Sequence, residues 1–493
     1  MTLAQLPVLE VVVPLIAAPL TLILRRASVA WAITMAACAF SFVAAVLLAA
    51  EVARVGPLSY HIGSWAPPWG IEYRVDALSA FVLVLVSGIG TAVAPFAWRS
   101  VAAELRSDQI YLFYTMYCLC FAGLLGMTIT GDAFNLFVFM EIASLSSYVL
   151  IALGRDRRAL LASFQYLILG TIGATFFVIG VGLLFLKTGT LNLADMAVRL
   201  EGLTNERSVL AALAFITVGM SLKLALFPLH LWLPNAYTYA PSAVTALLAA
   251  TATKVSVYVL LRFYFGVFGL HLVTQVLPMP EILMGLSILA IVTASLVALW
   301  QTDLKRLFAY SSVAQIGYIT LGVSMASLDG LTASIVHLFN HGITKGALFL
   351  LLGIVALHAG NTQFASARGL ARSMPITALG ITLAGLSLIG VPGTAGFVSK
   401  WYLVLAALEA GRCWLAALVV ATSLIAVAYV WRFVEAAYLS PPTAQTPAAG
   451  DTPMSMLVPA WLLVAACIWF GFDTSFTVEG ARRAATLLLG AGP

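Results

Sequence analysis

Along almost its whole length the chain alternates between apolar runs of roughly 20 residues and short breaks of Gly, Pro, Asn or charge. About 20 apolar residues is what an α-helix needs to cross a bilayer. The runs predict about fourteen spans, so the expected fold is an all-α, polytopic membrane protein. Two of them, 208–233 and 375–407, carry internal Pro and Gly and read as broken helices. Composition agrees: 62% of the 493 residues are hydrophobic and 9% charged, whereas a soluble protein averages about 25% charged. A soluble enzyme of this length is thereby excluded.

Other classes fall away on similar grounds. The net charge of +5 is scattered between apolar runs, so no basic stripe indicates nucleic acid. The five cysteines lie inside apolar runs and form no CxxC pair, which argues against iron–sulfur, zinc or haem attachment and predicts no cofactor and no metal. No basic residue precedes the first apolar run, and Arg25-Arg26 follow it, the layout of a first span rather than a secretory signal. Loops after odd-numbered spans hold more Lys and Arg than the others, most compactly in Arg155-Asp156-Arg157-Arg158. The positive-inside rule then places those loops in the cytoplasm and both termini outside.

The informative charges are those inside the spans. Lys223, Lys254, Lys345 and Lys400 each lie in an apolar run, while the arginines, together with Lys187 and Lys305, read as loop residues. A charge at the bilayer centre costs at least about 2.5–3.5 kcal/mol. Lysine differs from arginine in being able to give up its proton, so this asymmetry points to proton handling. Glu141 is the one carboxylate clearly inside a span, with Ser144 and Tyr148 on the same helical face. It needs a partner, most simply Lys223 or Lys254; a structural salt bridge is the alternative to a coupled protonation pair. Glu10, Glu409 and Glu435 lie near span ends and read as interfacial.

His337, His341 and Lys345 stand at i, i+4 and i+8, roughly one face over about 12 Å of helix. They read as a titratable ladder, with a plain polar helix–helix contact as the alternative. Lys223 precedes Pro228, His230 and Pro234; Lys400 follows Gly390, Pro392, Gly393 and Gly396. Two interrupted helices in different halves, each bearing a lysine, point to a paired ion site in a repeat-built transporter. Trp401 and Tyr402 are the expected walls of a cavity around Lys400.

Seven segments, in this order, resemble the antiporter-like membrane subunits shared by Mrp-type cation/proton antiporters, membrane-bound hydrogenases and respiratory complex I. They are VDALSAF at 75–81, GDAFNLFVFMEIASLSSY at 131–148, SLKLALFPLHLWLPNAY at 221–237, TATKVSVYVLLR at 251–262, DLKRLFAYSSVAQIGY at 303–318, HLFNHGITKGALF at 337–349 and GVPGTAGFVSKW at 390–401. The resemblance implies fourteen helices built on two inverted five-helix repeats, each with a broken helix. It divides the chain into N-terminal helices at 1–108, a first repeat at 109–268, a second at 269–439 and a closing loop and span at 440–493. It implies a proton pathway through Glu141, Lys223, His230, Lys254, His337, His341, Lys345 and Lys400. GDAFN and Lys400 look closest to the D-type member of the Mrp complex and its hydrogenase counterpart. The function implied is a proton-translocating subunit of a Mrp-type antiporter. A proton-pumping subunit of a hydrogenase or NADH–quinone oxidoreductase is the alternative, and a stand-alone solute carrier is weaker. Partners implied are other membrane subunits, protons and possibly Na⁺, in the cytoplasmic membrane of a bacterium or archaeon.

Overall fold

The computed structural model describes residues 3–448 and 450–490. The chain rises through Leu6–Leu24 (α1), Ala27–Val55 (α2), Ala77–Glu104 (α3), Ile110–Ile129 (α4), Ala133–Ala152 (α5) and Arg157–Thr188 (α6). Two interrupted crossings follow: Arg207–Leu224 (α7) with Trp232–Tyr239 (α8), then Ser242–Ala250 (α9) with Ala252–Leu261 (α10). Met279–Leu299 (α11), Leu304–Ser324 (α12) and Leu328–Ala359 (α13) come next. Pro375–Ile389 (α14) and Ala395–Glu409 (α15) share one crossing, before Cys413–Val434 (α16) and Met454–Phe472 (α17). Among the described residues, twelve helical segments are long and apolar enough to span a membrane. With α12 and the α14–α15 pair they give the fourteen crossings the sequence predicts. An even number of crossings puts both ends of the bundle on one face. That face also carries the antiparallel hairpin Leu58–His61 (β1) and Glu72–Val75 (β2) and a closing helix, Gly480–Leu488 (α18).

Helix starts are fixed by short acidic or hydroxyl caps. Asp76 opens α3 with a capping box: it accepts from the Leu78 and Ser79 amides at 3.1 Å, while its own amide donates to Ser79 Oγ at 2.7 Å. Asp132 caps α5 by accepting from Asn135 N at 2.7 Å, and Asp303 caps α12 by accepting from Arg306 N at 3.0 Å. Burial raises both of these loop carboxyls above the ordinary range, against the amides that hold them down.

The inverted repeat, invisible by residue identity, appears in the backbone. The Ala133 amide donates to Leu191 O at 2.8 Å and the Leu193 amide to Gly131 O at 2.8 Å. The Leu304 amide donates to Thr362 O at 2.8 Å and the Phe364 amide to Thr302 O at 3.0 Å. Each position recurs 171 residues later: 131 and 302, 133 and 304, 191 and 362, 193 and 364. Five crossings separate the two clips, so they lie on opposite faces, which is what inversion requires.

α13 is the axis of the second half. Every residue from Gly330 to Val355 is buried, packed by α9, α12, α14, α15, α17 and α3. Three sequence readings are corrected here. Glu10 is not interfacial: it is wholly buried where α1 meets α2 and α4, while Glu409 and Glu435 are exposed. Lys305 is buried, not a loop charge, because its amine reaches the start of α9 and donates to Ser242 Oγ at 3.0 Å. Arg262 is drawn inside by Asp76, with which it forms a buried ion pair.

Candidate functional site

α7 ends at Leu224, where Ala225 takes a left-handed φ of 60°, and the chain resumes helix only at Trp232. At the break the amides of Leu226 and Ala225 turn back to donate to Ser221 O at 2.9 Å and Leu222 O at 3.3 Å, and the Trp232 indole Nε1 adds a second donor to Leu222 O at 2.9 Å. α14 ends at Ile389, followed by Gly390 at φ 91° and Gly393 at φ 84°, conformations that glycine adopts without strain. The resumed helix α15 returns so close that a Cβ on Gly396 would collide with Ser387 O. A third break is absent from the sequence reading. At Thr251 (φ −124°, ψ −57°) the eighth crossing bends between α9 and α10.

The intramembrane lysines attach to these breaks. Lys254 Nζ donates to Ala249 O at 2.5 Å and to Thr253 Oγ1 at 3.3 Å. Lys400 Nζ donates to Ile389 O at 2.8 Å, Leu388 O at 3.3 Å and Ser423 Oγ at 3.0 Å. In both, an ammonium occupies the negative end of an interrupted helix, where freed carbonyls and the helix dipole favour positive charge. Lys345 Nζ donates to Phe308 O at 2.7 Å and Ser311 Oγ at 2.6 Å on α12. Lys223, in the last turn of α7, donates to Ser144 Oγ at 2.7 Å and stands 3.6 Å from Glu141 Oε1. Glu141 therefore pairs with Lys223 and not with Lys254. Among the described residues, no carboxylate oxygen lies within 4.0 Å of Lys254, Lys345 or Lys400.

The two histidines of α13 differ. His337 bridges Gln315 Oε1 on α12 and Ser399 Oγ on α15, both at 2.8 Å, so one ring nitrogen must donate to the Gln oxygen. Ser399 precedes Lys400 in the chain, which ties the ladder to the second break. His341 is stacked 6.1 Å from His337 and neither ring nitrogen has a partner among the described residues. His230 lies in the first break, stacked on Phe227 at 5.2 Å, and its Nδ1 is likewise unpartnered. The eight residues thus fall into two groups, Glu141–Lys223–His230 in the first half and His337–His341–Lys345–Lys400 along α13 and α15, with Lys254 on α10 between them.

Sequence reasoning missed Gln315, Ser399, Ser423 and Tyr318. The expectation for Trp401 is corrected: it is 50% exposed and points away, and the aromatic face under Lys400 is Tyr318, 4.8 Å from Nζ. No signal in a single sequence links Tyr318 to a lysine 82 positions on; only the α12–α15 packing does.

Two polar cavities bracket this line. One of about 690 Å³, on the face opposite the hairpin, is lined by Glu104, Arg155, Asp303 and Lys305. The other, about 200 Å³, lies on the hairpin face beside Glu72, Asp76, Tyr258 and Arg262.

Residues 130–426 match the family described as NADH:quinone oxidoreductase/Mrp antiporter, TM. The chain is 41% identical to NADH-quinone oxidoreductase subunit N of Desulforudis audaxviator (strain MP104C), over 93% of this chain and 94% of that one. It is 31% identical to the D-type subunit of the Na(+)/H(+) antiporter of Alkalihalophilus pseudofirmus, over 87% and 85%. Among solved structures it superposes on a chain of the membrane-bound sulfane sulfur reductase, an archaeal respiratory membrane complex, with a TM-score of 0.90 at 30% identity, covering 98% of each chain.

Proposed function

The chain belongs to the NADH:quinone oxidoreductase/Mrp antiporter transmembrane family, and we propose that it is the proton-translocating, antiporter-like subunit of a multisubunit membrane complex. The observation that carries this reading is the row of buried lysines that runs from Lys223 through Lys254 to Lys345 and Lys400. Three of the four are held by neutral oxygens alone. An ammonium held by carbonyls and hydroxyls can release its proton without leaving a buried carboxylate behind, which a permanently paired lysine cannot do. Lys223 is the exception, and its partner Glu141 couples the charge state of the first half to what lies outside it.

Glu141 sits on the outward stripe of α5. Phe134, Val138, Leu145 and Val149 on that stripe are 38–53% exposed, and the Glu141 side chain is 24% exposed. A carboxylate is untenable against lipid. A neighbouring membrane subunit covering α5 would shield it and let that subunit's charge act on Glu141. Lys223 then passes a proton to Lys254, and the α13 histidines and Lys345 carry it to Lys400. In this scheme Lys400 exchanges with the face on which both termini lie, and the excess of Lys and Arg in the opposite loops supports reading that face as the outside of the cytoplasmic membrane. The two inverted units correspond to 109–268 and 269–439.

Two settings share this machinery. In a Mrp-type antiporter, exchange for a cation such as Na⁺ drives proton movement. In a respiratory or hydrogenase complex, redox chemistry in partner subunits drives it, and the relative at 41% identity bears the name of such a subunit. Expressing the chain with its operon neighbours and assaying vesicles for proton movement tests both. Movement on adding Na⁺ supports the first setting, and movement on adding an electron donor the second. Absence of both in an assembled complex overturns the proposal.

A further inference from the structure

Beyond Lys254, toward the hairpin face, the same helix face carries Tyr258 and Arg262, one and two turns on. At 1.5 Å per residue the guanidinium stem begins ~12 Å from the lysine's level. The Tyr258 hydroxyl donates to Thr128 O at 2.8 Å and accepts from Arg262 Nε at 3.0 Å. The other arm of Arg262 is paired with Asp76, which the amides of Leu78 and Ser79 fix in place. Burial works to raise the Asp76 carboxyl, yet Arg262 and the amide and hydroxyl of Ser79 hold it below the ordinary carboxylate range. Past the pair lies the cavity of about 200 Å³, lined also by Glu72 and Arg74. Glu72 is itself held by Ser59 Oγ at 2.5 Å and Asn192 Nδ2 at 2.9 Å.

A hydroxyl relays a proton by passing on its own while accepting another. Tyr258 can do neither toward the cavity. Its hydrogen is committed to a backbone carbonyl, which does not take a proton, and the donor on its far side is a guanidinium, which does not release one. We propose that Arg262, locked between Asp76 and Tyr258, is a proton stop that separates Lys254 from the hairpin-face cavity and leaves α13 as the onward route. The onward route rests on the relay reading above; the stop itself does not. Without it, Lys254 would discharge to the near face in the first half, and Lys345 and Lys400 would be bypassed.

The test is passive proton leak, read with an internal pH dye in vesicles holding the assembled complex, under a potassium diffusion potential and with no substrate cation or electron donor. Arg262→Ala frees the Tyr258 hydroxyl, which already borders the cavity, to accept from water there, and should raise the leak about tenfold, the effect of a unit charge removed ~12 Å away at an effective dielectric of ~20. Adding Tyr258→Phe should return the leak to the wild-type level, because no hydroxyl then remains to relay, a rescue that a purely structural role would not give. Should unpaired Asp76 prevent assembly, the Asp76→Asn/Arg262→Ala double variant, which removes both charges together, should still leak more than wild type and lose that leak on adding Tyr258→Phe. Wild-type leak in assembled complexes of Arg262→Ala, or of Asp76→Asn/Arg262→Ala, overturns the stop, as does a leak that survives Tyr258→Phe. A wild-type complex that moves no protons when energised overturns the relay reading, while the leak ratio still decides the stop.

Discussion

Lys254→Arg separates a proton carrier from a charge anchor. Lys254 is fully buried and its amine rests on Ala249 O at 2.5 Å. An arginine keeps the positive charge and can still donate to that carbonyl. In water a guanidinium holds its proton about three pKa units more tightly than a lysine, so release costs about 4 kcal/mol more, a slowing of about a thousandfold. Lys254→Met removes charge and donor together. It leaves one freed carbonyl, worth about 1–3 kcal/mol, but also removes the cost of burying an unpaired ammonium, which is several kcal/mol. The expected pattern is therefore an arginine variant as inactive as the methionine variant, with the methionine variant at least as thermostable as wild type. Proton movement in energised vesicles, alongside a thermal melt of the purified complex, reads both. An arginine variant retaining more than about a tenth of wild-type turnover, far above the thousandfold slowing, would falsify the carrier role and leave Lys254 a structural charge.

Glu141→Ala removes the carboxylate 3.6 Å from Lys223 and should abolish proton-coupled activity while native gels still show the assembled complex; normal activity in vesicles would refute the coupling. Lys400→Ala should abolish or strongly reduce turnover, whereas Lys400→Glu keeps a titratable group there and should retain part of it; wild-type proton movement by an intact Lys400→Ala complex would sink its assignment. Trp401→Ala, at an outward-facing side chain, should leave turnover unchanged, while Tyr318→Ala, which removes the ring 4.8 Å from the Lys400 amine, should reduce it; the reverse order would restore Trp401 as the cavity wall. Gly396→Ala drives a Cβ into Ser387 O and should cost at least ~2 kcal/mol by overpacking, visible as lost assembly or a lowered melting temperature.

Spans and two of the three breaks were legible because hydrophobic length and proline are local signals. Pro228 and Pro392 announce their interruptions; Thr251 does not, since it sits among Ala249, Ala250 and Ala252, all helix formers, and tertiary packing alone bends the chain there. The lysines stood out because charge in an apolar run is rare. Lys305 and Arg262 were misread because each flanks a predicted boundary, and a long stem can carry its charge inward or outward from the same backbone position. Glu10 failed for the same reason on a shorter stem. Trp401 shows the opposite error, in which sequence adjacency was taken for spatial adjacency. The repeat could not be found by identity because what recurs is a pair of backbone hydrogen bonds, to which side chains contribute nothing.

The acceptors of Lys254 and Lys400 on the interrupted helices include main-chain oxygens of Ala249, Leu388 and Ile389, atoms that every amino acid possesses. Substitution at those positions cannot delete them, so selection has little purchase there beyond side-chain size. The constraint is displaced onto the positions that bend the chain, Thr251, Gly390 and Gly393, which do not contact the Lys254 or Lys400 amine through a side chain. In a survey of natural variants, the residues that look most functional around these lysines should therefore be those that shape the backbone, with Thr253 and Ser423, while the main-chain oxygens that hold the charge leave no trace in the alphabet of side chains.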